Sequence, residues 1–238
     1  MKTALPDYRI RRSPKSKNLR LRVTREDGLL VVVPKGYDEK KIPELLKQKK
    51  DWISDAMERV DETKRFLESE PVLHLPESVR LAALGETWCV TYSKDQTHTG
   101  LRLRGDSGAL IITGRDLNRE NVIRKLKDWL RARVREELFP LAERLATEHC
   151  LEIGNLFVKS QRTRWASCSV HKNLSLNTKL LFLSPGLVRY VLIHELCHTV
   201  HMNHSGEFWR LLASKEPDYK MLDLNLREAW KAVPQWLF

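Results

Sequence analysis

Tyr190-Val191-Leu192-Ile193-His194-Glu195-Leu196-Cys197-His198 is the stretch on which the reading of this chain turns. Ser184 and Pro185 precede it as N-cap and first helical residue, and Leu187, Val188, Val191 and Leu192 carry an apolar face into it. On such a helix His194 and His198 lie about 40° apart, one turn up the same face. Imidazoles so placed can bind one cation at about 2.0–2.1 Å each. Glu195 lies to one side of the pair. It is long enough to reach a water that such an ion activates without itself being a ligand, which is the position a general base needs. Four apolar residues run straight into the motif, so the helix is expected to be buried. A buried His-Glu-His face without partners is costly, and a metal site removes that cost.

A third protein ligand is expected, and two histidines compete for the role. On a continued helix His201 stays on the same face as His194 but about 10.5 Å along the axis, a span one ion does not bridge. His204 is therefore favoured, with Asn203 able to supply a left-handed turn that ends the helix. Glu207 is a further candidate. Cys197 lies on the side away from Glu195 and reads as a small buried apolar residue. Cys168, in the polar Arg164–Ser169 loop, reads as a free structural thiol.

Outward from the motif, Phe157 to Ser160 and Leu174 to Thr178 read as short strands around an Arg162–Ser169 loop. Two amphipathic helices are expected between Gly206 and about Trp230. Near the start, Leu19, Leu21 and Val23 alternate with Arg20, Arg22 and Thr24, the period of a strand with one basic face. Glu26-Asp27-Gly28 turns it into Leu29 to Val33, which makes a hairpin. Asp38 can cap a helix running to about Ser69. Strands are expected near 78–84, 87–93, 100–104 and 109–113. A long helix over about 117–149 should be kinked at Pro140. The sum is an α+β chain, with a strand-and-helix region over 1–150 and a compact part over 151–238 that holds the motif.

The chain has 238 residues, with 42 Lys plus Arg against 31 Asp plus Glu, a net +11. Residues 1–25 hold nine of the basic residues and one Asp. The balance favours acidic partners without naming one. No stretch approaches the ~20 apolar residues of a membrane span, and Met1 to Pro6 lacks an apolar segment of the secretory type. Four cysteines without C-x-x-C spacing point to a reduced cytoplasm.

Arg164-Trp165-Ala166-Ser167-Cys168-Ser169, Leu174-Ser175-Leu176-Asn177, Tyr190 to His198, and Asn203-His204-Ser205-Gly206-Glu207-Phe208-Trp209 together resemble the YgjP-like metallopeptidase family. That family is similar to the SprT-like and minimal gluzincin proteases. The resemblance is specific across about 160–212 and looser elsewhere. It implies a zincin-like domain over 151–238, zinc held by His194, His198 and His204, and Glu195 as base. One position departs: Ala166 stands where the family's W-G-S-C has Gly, which matters only if that residue needs positive φ.

The function expected is a zinc-dependent metallopeptidase, cutting peptide bonds with a metal-activated water and a glutamate base. The Leu174–Thr178 strand is a candidate edge for an extended peptide, and Arg164 and Tyr190 are candidate oxyanion donors. One alternative is a metal-dependent hydrolase of another bond, such as a nucleotide phosphoanhydride, although no Gly-rich phosphate loop accompanies it. Another is a nucleic-acid-binding protein with a structural zinc. Nucleic acid is also a possible partner of a true protease, through the basic hairpin.

Overall fold

The computed structural model describes residues 7–14, 16, 18–24, 27–68, 75–96, 100–161 and 163–238. Glu26, Ser69 and Arg162, used above to bound a turn, a helix and a loop, lie outside these. The chain groups into two compact units, Met1–Pro71 and Val72–Phe238.

In the first unit, β1 (Tyr8–Arg12), β2 (Arg20–Thr24) and β3 (Gly28–Val33) form a sheet in the order β1-β3-β2. The β2–β3 pair is the expected hairpin, and Gly28 sits in its turn at φ 64, where a side chain would be strained. Strand β1 was not legible, because Tyr-Arg-Ile-Arg-Arg offers a single aliphatic residue. It pairs parallel to β3. Leu29, Val31 and Val33 turn to one face and pack with Ile42, Leu46 and Ile53. Asp38 caps a 3-10 turn by accepting from the Lys40 N–H, and the helix expected beyond it is split at Lys49 into α1 (Ile42–Gln48) and α2 (Lys50–Glu68).

The second unit opens with β4 (Ser78–Leu81), β5 (Glu86–Lys94), β6 (Arg102–Asp106) and β7 (Ala109–Gly114), ordered β4-β5-β7-β6. Helices α3 (Arg119–Arg133) and α4 (Phe139–Glu148) follow, joined by a π turn over Val134–Leu138. The π turn is how the chain accommodates Pro140. The proline falls in the first turn of α4, where its missing N–H is least costly.

A second three-stranded sheet holds β8 (Leu156–Lys159), β9 (Ala166–Cys168) and β10 (Leu174–Asn177), ordered β8-β10-β9. Strand β10 is central and buried at every residue, so the edge expected at Leu174–Thr178 belongs to β9 instead. Ala166 lies in that strand and is not among the positive-φ residues, so Ala replaces Gly there without strain.

Helix α5 (Pro185–Cys197) carries the motif, followed by α6 (Gly206–Lys215) and α7 (Tyr219–Glu228). Val188, Tyr190, Val191, Leu192, Ile193, Leu196 and Cys197 are all buried, leaving α5 no polar stripe to speak of. It is the central helix of the unit, covered on several sides. The architecture is α+β.

Candidate metal centre

Helix α5 ends at Cys197, with His198 as its C-cap at φ −67 and ψ −15. The chain then unwinds through tight turns, with N–H bonds from Thr199 to Leu196 O and from Val200 to Cys197 O. No left-handed residue is used, so Asn203 does not act as the terminator expected of it. Ser205 next caps α6 by accepting from the Phe208 N–H at 3.4 Å. His204 is thus fixed between the end of one helix and the cap of the next.

These elements bring His194, His198 and His204 together. One ring nitrogen from each lies within 4.8 Å of the others, a group that could hold a metal ion. His194 Nε2 and His204 Nε2 approach to 3.0 Å. His198 Nδ1 lies 2.9 Å from the His201 carbonyl oxygen. With a proton on Nδ1, that bond fixes the tautomer and leaves Nε2 free as a ligand atom. His201 itself supplies a carbonyl, and its ring is 3.9 Å from the exposed Glu207 carboxylate. Neither His201 nor Glu207 belongs to the cluster.

Burial, then the charges His198 and His204 would carry, push the His194 imidazole down to about 4, with Asp223 opposing. Burial and His198 lower His204 in the same way. Neutral imidazoles are what a cation needs, so the donor set fits a divalent ion with nitrogen preference. Aromatic rings hold the cluster from behind. Phe208 is fully buried and stacks on His198 at 4.5 Å between centroids, and Trp209 lies 5.5 Å from His204.

Glu195 is buried beside the cluster. Burial pushes its carboxyl up to about 7, while a hydrogen bond from the Cys168 backbone and the Arg164 charge act against that rise. The group therefore sits on α5 but is tied to the edge strand β9. Cys197 is fully buried, as its small-hydrophobe reading requires. The Cys168 thiol is pushed up to about 11 by burial, then by Glu195, and stays protonated near neutral pH.

A cleft of about 550 Å³ opens over the cluster, with Arg164, Cys168, Tyr190, Glu195, Met202 and Asp223 among its lining. Asp223 was missed in the sequence. It reaches the cleft from α7, accepts from the Tyr190 hydroxyl at 3.3 Å and pairs with Arg227 at 3.2 Å. Only the Asp-to-Arg spacing of four residues on a helix hinted at it.

A sequence model of the YgjP-like metallopeptidase domain matches residues 17–229. Two solved structures resemble part of the chain. One is the metallopeptidase zymogen jannalysin of Methanocaldococcus jannaschii, 21% identical at a TM-score of 0.35, covering 39% of this chain and 95% of that one. The other is the metallopeptidase zymogen abylysin of Pyrococcus abyssi, 22% identical at a TM-score of 0.34, covering 37% of this chain and 90% of that one. No curated protein matches the chain.

Proposed function

The chain belongs to the YgjP-like metallopeptidase family, and from that premise we propose a zinc-dependent peptidase with His194, His198 and His204 as ligands and Glu195 as general base. One observation carries the proposal: three imidazole nitrogens within 4.8 Å of one another, beside a buried carboxyl that does not belong to the group. An all-imidazole set favours zinc over the oxygen-seeking ions. When bound, the ion supplies Lewis acidity, acidifying a water and polarising a carbonyl.

The chain's own groups do the rest. Glu195, held by the Cys168 backbone, accepts the water proton and returns it to the leaving amine. The His201 carbonyl keeps His198 facing the ion. Strand β9 offers the substrate an edge. Asn177 N donates to Trp165 O, and Ser169 N donates to Asn173 O, so the backbone groups of 165, 167 and 169 face β10. By alternation those of Ala166 and Cys168 face outward. An extended peptide can pair with Ala166 while Glu195 occupies the Cys168 N–H.

Nucleic acid is the second partner proposed, on a separate observation. Arg9 and Arg22 are level with Leu30, and Arg11 and Arg20 with Val32, so four exposed arginines share one face of the first sheet. Four unpaired cysteines, two of them exposed, fit a reducing compartment such as the cytoplasm. No helix among the described residues is long and apolar enough to cross a membrane.

The test is a metal assay on the purified chain, followed by digestion of an unbiased peptide library with and without a chelator. Zinc near one equivalent and chelator-sensitive cleavage are expected. A zinc-loaded protein that cuts no peptide but hydrolyses nucleoside triphosphates would overturn the proposal.

A further inference from the structure

Asn177 on the central strand β10 is 1% exposed, yet every part of its amide is used. Its Nδ2 donates to the carbonyls of Gln161 and Arg164, each at 2.7 Å, and its Oδ1 accepts from the Lys179 N–H at 3.1 Å. A buried, fully bonded amide therefore pins the carbonyls of Gln161 and Arg164 to the sheet, the second of them just before the edge strand β9. The Arg164 side chain leaves this anchored point exposed and lining the cleft. Among the described lining residues it is the one Lys or Arg. Of the two carboxyls in the lining, Asp223 is matched by Arg227 and Glu195 accepts from the Cys168 backbone. Arg164 has no ion pair among the described residues: its charge bears on Glu195, but no described residue takes up its guanidinium fork directly.

We infer that Arg164 is a specificity-determining residue that receives a carboxylate on the leaving-group side of the scissile bond. The inference rests on the peptidase reading above and adds a substrate class to it. Its direction comes from the strand. Antiparallel pairing is the stronger way to add a strand. A peptide so paired with Ala166 runs its N-terminal part toward Cys168, where Glu195 is bound, and its C-terminal part past Trp165 to Arg164. Residues that follow the scissile bond therefore meet the guanidinium. Its planar fork matches a carboxylate with two parallel N–H···O bonds. That carboxylate has two sources: an Asp or Glu side chain within a few residues of the cut, or the free C-terminus of a short peptide.

The test uses the zinc-loaded full chain and two peptide pairs built on one cleavable sequence. The first pair carries Asp or Asn after the cut, with an amidated end. The second has no acidic residue and ends in a free acid or an amide. The carboxylate member of at least one pair should have a KM about 10-fold lower, and which pair responds identifies the source. Arg164→Gln should bring the two KM values of that pair together, and Arg164→Glu should favour a Lys peptide instead. Zinc content of each variant checks that the site is intact. Binding of the same peptides to Glu195→Gln protein, followed by fluorescence anisotropy, should reproduce the preference without turnover. Equal KM values in the wild type, or a preference that survives Arg164→Gln, would overturn the inference alone. So would a fall in kcat shared equally by all four peptides, which is the signature of an oxyanion donor. A zinc-loaded wild type that cuts no peptide would overturn the peptidase reading with it.

Discussion

Sheet β1-β3-β2 and sheet β8-β10-β9 are wired alike. In each, the first strand pairs parallel to the third and the second pairs antiparallel to it. The β5-β7-β6 part of the four-stranded sheet repeats the wiring. Their surroundings differ. Strand β10 is buried at every residue and its hairpin partner β9 borders the cleft, whereas β3 has one apolar face and one flanked by arginines. Wiring is thus silent on function. What decides it is which side chains the strands carry and what helix lies at their edge. On the function proposed above, the site sheet acts through backbone groups and the arginine sheet through charge. Variants that separate the two modes test this contrast.

The largest effect belongs to the site sheet's partner helix. His194→Ala, His198→Ala and His204→Ala should each lower zinc occupancy, as read by atomic absorption. Glu195→Gln should keep the metal and lose hydrolysis by about 10²–10⁴-fold, the usual worth of a positioned acid–base group. Metal lost in Glu195→Gln with activity falling in proportion would make Glu195 a ligand and break the assignment.

Behind the three histidines, Phe208 is fully buried and touches His194, His198 and His204. Phe208→Ala should cost about 3–5 kcal/mol in stability, the range for truncating a buried aromatic residue. Phe208→Leu should cost less while still weakening zinc retention against a chelator, because the ring that stacks on His198 is gone. Unchanged retention in Phe208→Leu would mean that the histidines hold their geometry without it.

How much of this was legible follows from sequence distance. His194, His198 and His204 lie within eleven residues: helix geometry paired the first two and set His201 aside, and the short spacing after His198 left His204 as the third. The β2–β3 hairpin, β8, β10 and the helices after Gly206 also came from local periodicity. What failed needed long-range pairing. Ala166–Cys168 is too short to show a period, and whether β10 is an edge or a centre depends on where β9 lands. Strand β1 is a strand because β3 is there to pair with it. Asp223 sits on an amphipathic helix whose pattern cannot say which polar residue meets a cleft. Asn203 failed for a local reason: the helix had already ended at His198 through turns that need no positive φ.

The arginine sheet should respond to salt where the site sheet does not. If all four arginines meet phosphates of a duplex, log Kobs should fall with log salt at a slope near −3.6, from about −0.9 per phosphate. Removing two charges with Arg20→Gln and Arg22→Gln should reduce the slope to about −1.8 while zinc content stays the same. Sequence preference should be slight, since charge contacts carry none. Absent or salt-independent binding of DNA and RNA would remove this partner and leave the arginines as guards of the two sheet edges.

The smallest effect should come from His201, and its smallness is informative. His201 contributes its carbonyl to His198 Nδ1, and every residue type has that group. Its ring makes only a 3.9 Å approach to an exposed carboxylate, a surface contact of the kind worth little in water. His201→Ala should therefore change zinc occupancy by less than about twofold, against near-complete loss in His204→Ala. The comparison is sharp because the two residues are three apart and of one type, so composition and charge cannot distinguish them. Loss of zinc in His201→Ala with retention in His204→Ala would mean that the turn after α5 folds differently and that the third ligand has been assigned to the wrong histidine.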